Sequence, residues 1–400
     1  MQKFKIKDLC TILNGRAYKY DELQSSGKYR ILRVGNFFSK DDWYYSDMEL
    51  EDNKYCYNGD LLYAWSANFG PKIWDGEKTI YHYHIWKIIP NEKIDKTFLY
   101  YKLKSLTDVL KKNTHGSVML HLTKSDMENF EIEIPEIEEQ RKIAKVLMDI
   151  DNKIKMNDEM NNKMTEYMKD TYIEWFKNYN IPGEMFEFKN TEFGKIPNRW
   201  NEVALKDVFY FQEGPGIRNW QYVESDGTKF INIRCIKDND LELETANMIS
   251  NEEANGKYSH FMLNEWDVVV STSGTLGKNQ IIRKEHLPLC LNTSVIRFKP
   301  KKDFKDYSFM YNYLISEEFL NLLDIMATGS VQKNFGPTHL NKINLIYPDR
   351  KCLEKFNNLI FPFINKIQTN KSENLQLNGL KDLLLPKLMN GEIKLDKIEL

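Results

Sequence analysis

His82 and His84 alternate between tyrosines, a spacing that on a strand would put both imidazoles on one face, where two nitrogens could begin a metal site. No third ligand lies at a recognisable spacing, so both are read as surface or half-buried histidines and no metal ligand is assigned. Ser271-Thr272-Ser273-Gly274-Thr275-Leu276-Gly277-Lys278-Asn279 has the look of a phosphate loop. It lacks the first glycine, and Asn279 stands where a magnesium-binding hydroxyl is needed. Phe211-Gln212-Glu213-Gly214-Pro215-Gly216 approaches the glycine turn of methyl-donor sites but carries a proline inside it. The chain also lacks the Asn-Pro-Pro-Tyr or Asp-Pro-Pro-Tyr clamp that holds a flipped base. With no nucleophile paired to a base and no nuclease carboxylate cluster, no catalytic residue is assigned. The pattern argues for recognition without chemistry.

Three groups of polar residues suit recognition, and each occurs twice. The first follows Gly116 and Gly329. There Ser117, Lys124, Ser330, Lys333 and Asn334 can reach phosphates or base acceptors, or can simply cap a helix after a glycine hinge. The second is a strand-to-turn tip, Ser66 and Asn68 in one half and Ser273, Thr275, Lys278 and Asn279 in the other, which faces base edges or caps its own turn. The third is the aromatic and basic pair of clusters Arg16, Tyr18, Lys19, Tyr20 and Arg218, Asn219, Trp220, Tyr222, a composition that serves DNA or a protein interface.

The elements that must position these groups are themselves duplicated. Residues 115–135 and 328–348 align without a gap at an offset of 213. Both contain Gly-Ser-Val, then an alternating apolar strand (Phe130, Ile132, Ile134; Ile343, Leu345, Tyr347) closing on Pro135 or Pro348. Earlier matches drift in offset: Gly59-Asp60-Leu61 with Trp266-Asp267-Val268, Gly70 with Gly277, His84 with Ser294. Short β-branched and aromatic strands, with helices over residues 98–112 and 307–326, predict an α+β fold: two similar mixed domains in tandem.

After each proline the pattern becomes helical with spacings of four and three. Ile143, Leu147, Ile150, Ile154, Asn157, Asn161, Met164 and Met168 form one stripe. Phe356, Ile360, Phe363, Ile367, Asn370, Asn374, Leu377 and Lys381 form the other. Asparagine in an apolar seam fixes register when it meets another polar group, and the alternative is a frayed, solvated turn. Antiparallel packing as a coiled coil would bring the two asparagine pairs together. A helix of about 40 residues is about 60 Å long, more than a turn of B-DNA at about 34 Å. The expected division is a first recognition domain at 1–134, a helix at 135–180, a linker and second domain at 181–349, and a helix with tail at 350–400. Within it, residues 180–200 are expected to be a linker docking at Trp200, and Pro386 to break the second helix, leaving an exposed apolar tail.

Composition sets bounds. Of 400 residues 42% are hydrophobic, enough for two cores. No run of about 18 apolar residues is present and the amino terminus lacks a secretion-signal stretch, so a cytoplasmic location is expected. Cys10, Cys56, Cys235, Cys290 and Cys352 are scattered, as reduced thiols would be. The net charge is -2, and residues 1–134 balance 20 basic against 19 acidic side chains. A DNA contact would need basic groups gathered on one face, or a partner that shares the phosphates.

The chain resembles the specificity subunit of type I restriction-modification enzymes. The resemblance is carried by the tandem halves, Ile132-Glu133-Ile134-Pro135 running into Glu138-Glu139-Gln140-Arg141-Lys142-Ile143-Ala144, the Gly194-Lys195-Ile196-Pro197 segment with Trp200, and the Leu384-Leu385-Pro386-Lys387-Leu388 tail ending Asn390-Gly391-Glu392-Ile393. The second junction, Arg350-Lys351-Cys352-Leu353-Glu354, departs from the Glu-Gln-Arg pattern. The resemblance implies two target-recognition domains reading the halves of a split double-stranded DNA sequence, held apart with pseudo-two-fold symmetry by two antiparallel helices. It also implies docking of two methyltransferase (M) subunits and of restriction and translocase (R) subunits. S-adenosylmethionine, ATP and magnesium would then be bound by those partners and not by this chain. A duplicated protein-binding scaffold is the alternative, and a stand-alone nuclease or methyltransferase a third reading.

Overall fold

The computed structural model describes residues 1–38, 41–112, 122–237, 240–327 and 334–395, with the side chains of 111 and 112 excepted. The chain divides into two compact units, Met1–Ile154 with Gln376–Leu400, and Lys155–Leu375. No helix among the described residues is long and apolar enough to cross a membrane.

In the first unit an antiparallel sheet runs in the order Cys10–Asn14, Ile85–Pro90, Leu61–Ser66, Asn68–Ile73. The second unit repeats it as Phe209–Glu213, Val295–Pro300, Val268–Ser271, Asn279–Ile281. The central strands, Leu61-Leu62-Tyr63-Ala64 and Val268-Val269-Val270, are buried on both faces, which is why they read as continuous apolar runs. Each unit has a second four-stranded sheet with one parallel pair, Tyr29–Leu32 beside Thr79–Tyr81 and Gly227–Ile231 beside Leu289–Leu291. These sheets diverge at their edges: Tyr55–Cys56 is added in the first unit and Tyr222–Val223 in the second. A two-stranded ribbon then ties the start of each domain to its end, Gln2–Lys5 to Glu131–Ile134 and Asn201–Ala204 to Asn344–Tyr347.

The matched turns share their chemistry. The Asp60 carboxylate accepts the Tyr57 N–H at 2.8 Å, and Asp267 accepts that of Asn264 at 2.9 Å. The residue before each aspartate is left-handed, Gly59 at φ 87° and Trp266 at φ 70°. Trp266 bears a cost of about 1 kcal/mol that glycine avoids. Its ring is held against Phe361 (5.2 Å) and Tyr307 (5.9 Å), which fixes the conformation.

Several elements differ from the sequence expectation. The stretch 307–326 forms two helices, Tyr307–Leu314 and Glu317–Met326, because the Ser316 side chain accepts the Phe319 N–H and starts a new helix. The expected linker contains a hairpin, Phe188–Thr191 with Gly194–Pro197, and buries Ile196 and Trp200.

The two long helices are Ile137–Phe176 and Arg350–Met389, and each contributes residues to both units. In the second unit they run antiparallel, with Trp175 against Phe356 (5.5 Å), Tyr167 against Phe363 (5.1 Å), Asn161 against Asn370 and Asn157 against Asn374. The asparagines meet as the seam requires: Asn370 Nδ2 donates to Asn161 Oδ1 and Asn157 Nδ2 to Asn374 Oδ1, both at 2.8 Å. Ile143, Leu147, Ile150, Phe356, Ile360 and Ile367 are buried. Ile154 and Phe363 are half-buried, and Ile364, outside the expected stripe, takes a buried place. In the first unit Lys381 bonds Asp151 at 2.7 Å in the same antiparallel sense.

Pro386 does not end the second helix. It is exposed near the last turn, where a single lost helical hydrogen bond is tolerated, and Gly391 at φ 71° ends the helix instead. Gly391 N–H donates to Leu388 O and Glu392 N–H to Lys387 O. The tail is not exposed either: Leu388, Met389 and Leu395 belong to the core of the first unit, and buried Lys102 donates to the Met389 carbonyl at 2.8 Å. The junctions also differ. Buried Gln140 staples the first helix by donating to Pro135 O (2.9 Å) and Lys93 O (3.1 Å). In the second, Arg350 pairs with Asp306 at 2.9 Å.

Candidate nucleic-acid interface

At one end of the first unit's main sheet, the strand Leu61–Ser66 turns through Ala67 (φ 62°) to Asn68. Leu122, the first described residue after Gly116, is buried and donates its N–H to Trp65 O at 3.5 Å. The second unit repeats the anchor: buried Phe335 donates to Thr272 O at 3.1 Å, and Ser273 bridges Asn334. Leu122 and Phe335, which follow Gly116 and Gly329 in the chain, are therefore pinned beside the strand-to-turn tip in both copies. Ser117, Ser330 and Lys333 lie outside the described residues.

The aromatic and basic cluster borders the same edge. Arg16 bridges His82, Trp65 Nε1 donates to Tyr83 O at 2.9 Å, and the Trp65 and His84 rings lie 5.1 Å apart. Gly15 and Gly214, each just after the first strand of its sheet, allow this approach. A Cβ on Gly15 would lie 2.4 Å from the carbonyl oxygens of Tyr81 and His82, and one on Gly214 would lie 2.5 Å from Leu291 O. Sequence reasoning missed Gly15; a glycine directly after the first sheet strand in both halves was the available signal.

Each copy then forms a short helical turn with the same cap. Lys19 N–H donates to Glu22 Oε2 at 2.8 Å, and Arg218 N–H to Gln221 Oε1 at 2.9 Å. The turns present Tyr20, 89% exposed, and Trp220, 80% exposed. Lys19, Arg218 and Asn219 are exposed beside them. Arg16 is engaged by Glu22 through two bonds (2.6 and 3.1 Å) and lies over Tyr18 at 4.8 Å, so it shapes the edge from within.

The remaining candidates separate. Ser66 is 3% exposed, so its side chain is buried at the turn end of its strand and not presented as a contact, while Asn68 across the turn is exposed. Thr275 is exposed, and its carbonyl accepts the Ser271 hydroxyl at 2.6 Å. Lys124 opens a helix capped by Thr123 and pairs with Glu128 at 3.4 Å. Lys278 and Asn279 line a cavity that also reaches the long helices.

The two histidines sit in a turn rather than on a strand. His82 Nδ1 accepts the His84 N–H at 3.4 Å, as Asn292 Oδ1 accepts the Ser294 N–H at 2.9 Å in the other copy. No group of three His, Cys, Asp or Glu suited to a metal occurs among the described residues. Burial, with the charges of His84 and Arg33, pushes the His82 pKa down to about 4. The folded state therefore favours neutral His82, and this stability is present above pH ~6.5 and lost as pH falls toward 4. After discounting for its partial exposure the loss is about 1–2 kcal/mol. His82→Asn, the residue of the second copy, is expected to keep the turn and remove that loss. The check is the difference between wild type and variant in urea midpoint across this range, since His286, shifted the same way, remains in both.

Comparisons with known proteins add the following. A family model described as the type I restriction modification DNA specificity domain matches residues 1–166 and 197–378. The type I restriction enzyme MjaVIII specificity subunit of Methanocaldococcus jannaschii is 28% identical over 346 residues, spanning 85% of this chain and 80% of that protein. The EcoBI specificity subunit of Escherichia coli is 20% identical over 416 residues, spanning 98% and 86%. The crystal structure of a type-I restriction-modification system S subunit from M. genitalium shares the fold, with a TM-score of 0.61 at 16% identity, covering 97% of this chain and 95% of that one.

Proposed function

The chain belongs to the type I restriction modification DNA specificity family, and from that premise we propose that it is the sequence-reading subunit of a type I restriction-modification complex. Each unit reads one part of a two-part double-stranded DNA target. The observation that carries this is the doubled edge, in which Leu122 on Trp65 and Phe335 on Thr272 repeat one backbone anchor under different side chains. A repeated frame fixes where a half-site lies, and changed side chains change what is read.

By itself the subunit is non-catalytic. It positions two methyltransferase subunits, which carry S-adenosylmethionine, and restriction and translocase subunits, which carry ATP and magnesium, in the cytoplasm. The net charge of -2 supports shared phosphate contacts, because a lone DNA clamp needs an excess of basic groups. The relatives' description as specificity subunits supports the same division.

Mapping methylated adenines in a host with and without this chain tests the reading. One two-part motif should lose its methylation without the chain, and an unchanged map would end the proposal. A protein-binding scaffold is the second reading, favoured by the exposed Tyr20 and Trp220 rings. DNA shift assays with and without methyltransferase subunits separate the two.

A further inference from the structure

A cavity of about 430 Å³ lies wholly within the second unit, between the two long helices and the tip of the main sheet. Four ammonium groups line it, Lys169, Lys237, Lys278 and Lys371, against the single carboxylate of Asp158. Lys371 is placed rather than loose. Its Nζ donates to Gln280 Oε1 at 2.8 Å, and Gln280, itself 3% exposed, donates from Nε2 to Lys237 O at 2.8 Å. Asp240, which acts on Lys371, is held by both Nη atoms of Arg283 at 2.9 and 2.6 Å, and Lys237 lies 3.6 Å from Glu242. Burial, with the charge of Arg283, pushes the Lys371 pKa down to about 8 against the opposing pull of Asp240 and Asp158.

The internal duplication makes this concentration of charge informative. The offset that pairs Asn157 with Asn370 and Asn161 with Asn374 pairs Lys169 with Asp382 and Lys371 with Asp158. At both helix positions one copy carries lysine where the other carries aspartate. A framework role shared by both halves would not reverse the charge.

We propose that this cavity binds a phosphate-bearing small molecule of nucleotide size. Lysines would hold its phosphate oxygens, while the carboxamides of Asn162 and Asn279 and the ring of Tyr311 face its remainder. The volume suits a nucleotide and does not admit a duplex, so the proposal stands independently of the DNA reading.

Calorimetric titration of the full chain with pyrophosphate and with ADP tests the proposal. The expected result is a single site with Kd of about 10–100 µM. Lys371→Gln should weaken it about tenfold, and Lys169→Gln, at an exposed position that leaves folding intact, severalfold. Lys366→Gln, exposed on the same helix and outside the cavity, should bind as wild type. Three results overturn it: no heat from either probe at about 1 mM, equal weakening by Lys366→Gln, or displacement of the probe by a short duplex, which would make the lysines part of the DNA face.

Discussion

Leucine in place of Asn161 is expected to destabilise the second unit by about 2 kcal/mol or more, because the buried Asn370 amide then loses its strong acceptor. Asn370 is fully buried and donates to Asn161 at 2.8 Å; among the described residues its only other contact of this kind is the Met160 sulfur at 3.8 Å. Its own Oδ1 already has no partner, so the pair has nothing to spare. Replacing both asparagines by leucine removes the stranded group and restores an apolar seam, so the double variant should recover most of the loss, with a coupling of about 2 kcal/mol. Equal and additive losses in denaturant unfolding would show that the pair contributes nothing as a unit. Register in the double variant then rests on the remaining Asn157–Asn374 pair alone, since leucines slide where an asparagine pair cannot.

Gly15→Ala should destabilise the first unit by about 3 kcal/mol, and Gly214→Ala the second by a similar amount. Neither glycine needs an unusual φ. The conflict is with backbone: a methyl group 2.4 Å from the Tyr81 and His82 carbonyls, or 2.5 Å from Leu291, meets no side chain that can swing away. In the first unit the first strand and the Tyr81–His82 backbone must separate, carrying Arg16 and the Lys19 turn with them. In methylation maps each alanine should therefore blur its own half of the motif and spare the other. Wild-type unfolding midpoints for both would refute the close-approach argument.

Elements whose partners are local, or repeated, were legible in the sequence. The strands Leu61–Ser66 and Val268–Ser271 announced themselves as apolar runs matched across the copies, and the asparagine pairs by their position in a four-and-three spacing. What long-range contacts decide was not legible. Pro386 reads as a breaker until the helix is seen to stop at Gly391, and Leu388 and Met389 read as a sticky tail until the core that covers them is known. Ser66 looked like a polar tip because strand position alone does not give depth. The cavity lysines lie far apart in the chain, with nothing in their spacing to gather them.

The tie between Lys102 and the Met389 carbonyl joins residues 287 positions apart. At ribosomal speeds of 5–20 residues per second, the second partner is synthesised roughly 15–60 s after the first. Residues 155–375 form a contiguous unit whose members have all been made by then. Vectorial synthesis thus reverses the order of the text: the later domain can mature first, while the earlier one waits with Ile134 and Ile143 still lacking Leu388 beside them. A nascent chain in that interval offers apolar surface to chaperones from its oldest residues and not from its newest.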